Sequence, residues 1–239
     1  MLANIVEKWC LRGWYKNQKI PDLCGGAEQL PSRLRHSQSI LDIGAGTGLL
    51  SLMAAQNGNG HITAVELDEE ASQQAHSNFA ASPWASQLQL VNGAIQTFSA
   101  TCQQRFDSVI SNPPFFQQSC KGNDQRRNMA RHTDSLSFTD LARVISRHLA
   151  ITGEAWILLP VESAPRFLQA AAREELVLIR QIGLRSSRQH PNHRYILVLK
   201  HQNPDEPQET QEETVTIYDQ APHYTDKTRQ LMSPYYLAL

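Results

Sequence analysis

The chain has 239 residues, with 22 Lys and Arg against 23 Asp and Glu, and 9 His. Apolar residues make up 41% and charged residues 19%, enough to build a full core and to exclude global disorder. The near-neutral balance also excludes binding of nucleic acid through a uniformly basic surface, so any such contact must come from local clusters.

The length suits one α/β domain, or one domain with a small appendage. No apolar run approaches the roughly 18 residues needed to cross a bilayer. Residues 1–19 lack the order of charge, apolar stretch and cleavage site that marks a signal peptide. The cysteines Cys10, Cys24, Cys102 and Cys120 are scattered and form no CxxC. They read as reduced thiols of a soluble cytoplasmic protein, with no disulfide framework or zinc site.

From residue 39 onward, short β-type runs alternate with helical stretches, the pattern of βαβ units on a parallel sheet. The expected elements are a strand at 39–43 (SILDI), a helix at 47–56 and a strand at 61–66 (HITAVE). A helix at 69–79 follows, with Glu69 and Glu70 in its first turn where the helix dipole favours acids. Strands are expected at 87–91 and 106–111, then a long polar loop over 112–135. A helix at 138–149, a strand at 153–159, a helix at 162–173 and β segments at 175–183 and 194–200 complete the series. No helix-length run lies between the last two β segments, so they are expected to pair antiparallel. Residues 203–213 hold five acids, two prolines and no base, and read as a solvated loop. Residues 1–38 are an N-terminal segment of undefined structure, and residues 39–239 are the expected domain.

Leu41-Asp42-Ile43-Gly44-Ala45-Gly46-Thr47-Gly48 lies where the first strand ends and a helix begins. Glycines there let the backbone turn sharply and let a ligand approach with no Cβ in the way. The helix start adds free N–H groups. The pattern is GxGxG rather than the dinucleotide GxGxxG, and the P-loop Lys is absent. Glu66, at the tip of the second strand and 22 residues after Gly44, is placed to accept hydrogen bonds from both hydroxyls of a ribose. With no base near the loop to hold a pyrophosphate, S-adenosylmethionine fits better than NAD. Asp42 is expected to position the ligand's charged amino end. Leu67 and Asn112 join the expected cofactor set.

Asn112-Pro113-Pro114-Phe115 follows the fourth strand, which adjoins the first across the switch point of a doubly wound sheet. Prolines lack N–H groups, so the segment offers mainly carbonyl oxygens. The Asn112 side-chain oxygen and the Pro113 carbonyl can accept two N–H bonds from one planar amine, and Phe115 can stack on a flat ring. Orientation and electrostatics, rather than a strong base, would activate an exocyclic adenine amine held there.

The ILDIGAGTGLL loop, the AVELD strand end and the ISNPPFF segment resemble class I S-adenosylmethionine-dependent amino-methyltransferases. NFAASPW (78–84), QRRNMARHT (125–133) and the closing YTDKTRQLMSPYYL narrow the resemblance to the tRNA1(Val) (adenine(37)-N6)-methyltransferase family. The resemblance implies methylation of N6 of adenosine 37 beside the anticodon of a valine tRNA. It also implies a seven-stranded, mostly parallel Rossmann-like sheet with an antiparallel last strand. Two departures stand out. The family's KxGTDG-type segment before the first strand has no match, LCGGAEQL being nearest. The acid after the third strand is absent, leaving Asn92 or backbone N–H groups to substitute; the resemblance implies that Asn92 and Ala94 complete the expected cofactor set.

Lys121, Arg126, Arg127 and Arg131 follow the NPPF segment and are candidate phosphate contacts with RNA. Arg185, Arg188, Arg194 and Lys200 form a second basic run. A base of an anticodon loop can be splayed out and stacked on an aromatic ring. The histidines show no ligand spacing, and no metal is expected. Other amine substrates, a release-factor glutamine amide or DNA adenine, remain alternatives, as does a catalytically inert RNA-binding protein of the same fold.

Overall fold

The computed structural model describes residues 37–58, 60–113, 136–205, 209–220, 223–233 and 235. Eight strands form one sheet: β1 (Ser39–Ile43), β2 (His61–Glu66), β3 (Leu88–Asn92), β4 (Phe106–Ser111), β5 (Leu149–Pro160), β6 (Leu176–Arg185), β7 (Arg194–His201) and β8 (Gln211–Thr216). Their order is β3-β2-β1-β4-β5-β7-β6-β8. All neighbours are parallel except β7, which is antiparallel to both β5 and β6. The seven expected strands are therefore present, with the antiparallel strand second to last in position. β8 adds an eighth, parallel to β6. Its residues 211–213 had read as loop.

The inner strands are buried on both faces, which is why they read as continuous apolar runs. In β2 every residue from Ile62 to Val65 is buried, as is every residue from Ile40 to Ile43 in β1. Helices α1 (Leu49–Asn57) and α2 (Glu69–Ala80) pack on one face. There Ala54, Ala55 and Phe79 meet Ile40, Ile62, Ala64 and Trp156. Helices α3 (Ile95–Thr101), α4 (Phe138–His148) and α5 (Ala164–Arg173) cover the other, with Leu141, Ile145, Phe167 and Ala171 against Val109, Ala155 and Leu197. In α4 the buried residues Leu141, Ala142, Val144, Ile145 and His148 recur at helical spacing, and the Ser137 hydroxyl accepts from Asp140 N at 3.0 Å to cap its start.

Beyond β8, β9 (Tyr218–Gln220) and β10 (His223–Tyr224) form a small hairpin, and α6 (Asp226–Met232) returns along the domain. No helix among the described residues is long and apolar enough to cross a membrane.

Candidate active site

Because β1 to β4 are parallel, the segments leaving their carboxyl ends share one edge of the sheet. The glycine loop leaves β1 and is pinned to β2: Gly44 N and Ala45 N both donate to Val65 O, at 2.9 and 3.1 Å. The Asn78 side chain, from α2, donates to Thr47 O at 2.9 Å. Gly46 sits at φ +56°, and a Cβ there would meet no described atom within 4 Å. That opening is what close approach of a ligand to the loop requires. Gly48 serves a different purpose. At φ +83°, a Cβ would fall 2.3 Å from the Phe79 ring, so this glycine lets α1 start against α2.

Glu66 stands at the same edge of the sheet. Its Oε2 accepts from Gly46 N at 2.7 Å, and its Oε1 accepts from Asp68 N at 2.8 Å. Both oxygens are thus aimed by backbone donors, and each keeps a lone pair for another donor. Leu67, beside it, is half exposed. Asn92 lies opposite Glu66 in the β2–β3 register. Its amide donates to Glu66 O at 3.1 Å, as does Gly93 N at 2.8 Å. Ala94, half-buried, begins α3. Gly93 also has open space where a Cβ would be.

Asp42 is fully buried beneath the loop. Its Oδ2 accepts from Ser51 Oγ at 2.7 Å, while Oδ1 has no partner among the described residues. Burial pushes its carboxyl up to about 7; the Ser51 hydroxyl opposes the shift, and the Glu66 charge adds to it. An enclosed carboxyl oxygen without a donor is costly unless something else supplies one.

Ser111 ends β4 beside Ile43, the residue before Gly44. Its buried Oγ donates to Ile43 O at 2.7 Å. Asn112 follows, half-buried, and Pro113 is buried. The structure thus brings Asp42, Gly44, Ala45, Gly46, Gly48, Glu66, Leu67, Asn92, Ala94, Asn112 and Pro113 to one edge. Pro114, Phe115 and the loop bases Lys121, Arg126, Arg127 and Arg131 lie outside the described residues. Of the second basic run, the topology separates Lys200 from the rest: it pairs with Val177 at the opposite edge. No group of three or more His, Cys, Asp or Glu that could hold a metal occurs among the described residues.

Sequence reading missed Ser51, Ser111, Asp68 and Asn78. Ser51 had a visible signal: a polar residue within the apolar run of the first helix. Asp68 stands where an N-cap is expected, and its side chain accepts from Ala71 N at 2.8 Å.

The sequence matches the family model of the methyltransferase small domain over residues 24–158, more than half of the chain. A relative from Shewanella baltica (strain OS185), named tRNA1(Val) (adenine(37)-N6)-methyltransferase, is 43% identical over 209 residues, covering 86% of this chain and 87% of its own length. Among solved structures, a protein from Agrobacterium tumefaciens described as a predicted O-methyltransferase superposes with a TM-score of 0.66. Its identity is 13%, over 89% of this chain and 96% of that one. A glycopeptide N-methyltransferase complexed with S-adenosylmethionine superposes with a TM-score of 0.57 at 15% identity, over 80% of this chain and all of that one. At such identities the two structures bear on the fold alone.

Proposed function

This chain belongs to the tRNA1(Val) (adenine(37)-N6)-methyltransferase family, and on that premise we propose that it methylates N6 of adenosine 37 in the anticodon loop of a valine tRNA, with S-adenosylmethionine as donor. The observation that carries the reading is the junction of the β1 and β4 tips: Ser111 ties the strand bearing Asn112 to the carbonyl just before the glycine turn.

The residues present fit S-adenosylmethionine. Glu66 holds two aimed oxygens with lone pairs left for the two ribose hydroxyls. No described atom lies within 4 Å of a Cβ built on Gly46 or Gly93, which leaves the backbone there open to a ligand. The free Oδ1 of Asp42 matches a cationic amino group, directly or through water. When bound, the group supplies a methyl on a sulfonium, ready for transfer to a nucleophile. Leu67 offers an apolar surface, and Asn92 takes the place of an acid near the adenine.

At the other side of the cleft, Asn112 Oδ1 and the Pro113 carbonyl accept the two N–H bonds of the target amine. They hold its lone pair toward the methyl and let the nitrogen pyramidalise. Pro114 and Phe115 complete the motif, and the Phe115 ring is the proposed stacking face for the purine. No residue would need to act as a strong base before attack: the amine would become acidic only as the N–C bond forms and the donor's C–S bond breaks, its electron pair staying on the sulfur of the departing thioether, and the proton would then pass to solvent. Positioning and oriented carbonyl dipoles are the chain's contribution to rate. Lys121, Arg126, Arg127 and Arg131 serve as phosphate contacts, and a tRNA substrate supports a cytoplasmic setting.

The test is methyl transfer by the purified protein to an unmodified valine tRNA transcript, read by nucleoside mass spectrometry. N6-methyladenosine appears at position 37, and changing that adenosine to another base abolishes it. Transfer that persists without adenosine 37 overturns the reading.

A further inference from the structure

β6 runs parallel to β4, so its carboxyl end opens on the edge that holds Asn112 and the glycine loop. Arg185 ends β6 and Arg194 begins β7, with Arg194 level with Pro160 and Leu184 in the register. The 29 residues from 176 to 204 contain no Asp or Glu. Three of their five basic residues, Arg185, Arg188 and Arg194, gather at this edge, with His190 and His193 in the turn between. Counting strand spacings of about 4.8 Å, β7 lies ~10 Å and β6 ~14 Å from β4.

The turn has a fixed base and an exposed tip. His193 N donates to Leu184 O at 2.9 Å, and His190 N donates to Ser187 O at 3.1 Å. The Asn192 side chain packs over Gly183, where a Cβ would fall 2.2 Å from its amide nitrogen. Arg188, Gln189, His190 and Pro191 at the tip are exposed.

A second element lies against this turn. Ile217 N and Tyr218 N each donate at 2.9 Å, to Arg185 O and Ser186 O. The β9–β10 hairpin is thereby fixed beside the arginines. Its Tyr218 and Tyr224 rings stack with centroids 5.0 Å apart and planes 23° from parallel, both half exposed. Of the acids nearby, Asp226 is paired with Arg229, Asp219 is exposed on β9, and Glu162 is exposed two residues after Pro160, the register partner of Arg194. A fixed basic turn beside an aromatic pair is the chemistry that receives a folded RNA strand: phosphates on the bases, a nucleoside face on the rings.

We propose that the β6–β7 turn and the Tyr218–Tyr224 hairpin form an RNA-docking surface for the part of the substrate that flanks the methylated loop, with Arg188 as the exposed phosphate contact. This rests on the tRNA reading above and adds a surface to it.

The experiment compares the full-length wild type with Arg188→Glu, Arg188→Lys, Tyr224→Ala and Lys200→Gln. Lys200 provides the control, a base of the same run at the far edge. The valine tRNA transcript is titrated by filter binding over a salt series, and S-adenosylmethionine by calorimetry. Arg188→Glu weakens tRNA binding roughly tenfold and lowers the salt slope by about 1, as loss of one phosphate contact requires. Arg188→Lys restores most of the affinity. Tyr224→Ala weakens binding with an unchanged slope. Lys200→Gln binds as wild type, and all four variants bind S-adenosylmethionine normally. Wild-type affinity and slope in Arg188→Glu, from a wild type that does methylate the tRNA, overturn this surface and leave the function standing. A wild type that neither binds nor methylates the tRNA overturns both.

Discussion

The Ser111 hydroxyl donates to the carbonyl of Ile43 at 2.7 Å, joining the tip of β4 to the tip of β1 one residue before the glycine turn. The bond is buried, and it links the two chain segments proposed to hold the target amine and the cofactor. Ser111→Ala removes it without adding bulk. Stability should fall by about 1 kcal/mol, the usual net worth of such a bond. Turnover should fall roughly tenfold or more, because small misplacements of reacting groups are costly, while cofactor affinity stays within about twofold. Single-turnover kinetics with calorimetry separates the two. An unchanged rate would show that the strand tips hold their spacing without this bond.

Glu66 is aimed by Gly46 N and Asp68 N, one on each oxygen. Glu66→Gln keeps the shape but turns one acceptor into a donor, which must then face a backbone N–H. The expected result is weakening of S-adenosylmethionine binding by about 10- to 100-fold, with Glu66→Ala at least as weak. A dissociation constant equal to wild type in Glu66→Gln would remove the ribose role.

Asp42 carries a pH signature. Its folded-state carboxyl titrates near 7, far above its ordinary value, because burial penalises the charge. Between those two values the folded state holds a proton that the unfolded chain has released. Stability of the ligand-free protein therefore falls as pH rises from about 4 to about 7 and levels off above it. Asp42→Asn should remove this decline, gaining on wild type across that window in thermal melts. A cationic amino group held by Asp42, as proposed, prefers the carboxylate, so cofactor binding should expel the proton. Affinity should strengthen from about pH 5 to about pH 7 in wild type, below the range where the ligand's own amino group loses its proton, and stay flat in Asp42→Asn. Parallel pH profiles for the two proteins would contradict the assignment.

Gly48 holds φ +83° with the Phe79 ring where a Cβ would go. Gly48→Ala should cost about 2 kcal/mol or more through strain and overpacking. Phe79→Ala in the same chain should return part of that loss as a favourable coupling in a double-mutant cycle of chemical unfolding. Strict additivity would mean that the ring is not what excludes the side chain.

Much of the sheet was legible because its inner strands are buried on both faces. Ser39–Ile43, His61–Glu66 and Phe106–Ser111 have the bounds expected from their apolar runs. The misses have physical causes. α3 spans seven residues, and only Ile95 and Ser99 are buried, too little to show a period. β8 is an edge strand in which Val215 alone is buried, and its acids read as solvated loop. β5 begins at Leu149 rather than 153 because Gly153 sits inside the strand, where a Cβ would fall 2.7 Å from Asp107 O. At the candidate site, residue types at motif spacing pointed to Gly46, Glu66 and Asn112, which the parallel strands bring to one edge. Ser51 and Ser111 were not legible in role, since a hydroxyl shows its partner only once strands are side by side.

In the proposed reaction a methyl donor at the β1–β2 tips meets an amine held at the β4 tip by Asn112. The most direct measurement is single-turnover methylation of the valine tRNA transcript by Asn112→Ala beside wild type, with S-adenosylmethionine affinity measured on the same preparations. In Asn112→Ala the rate should fall about a hundredfold or more, as on removal of an oriented polar group, with cofactor affinity barely changed. Full turnover in Asn112→Ala would contradict it.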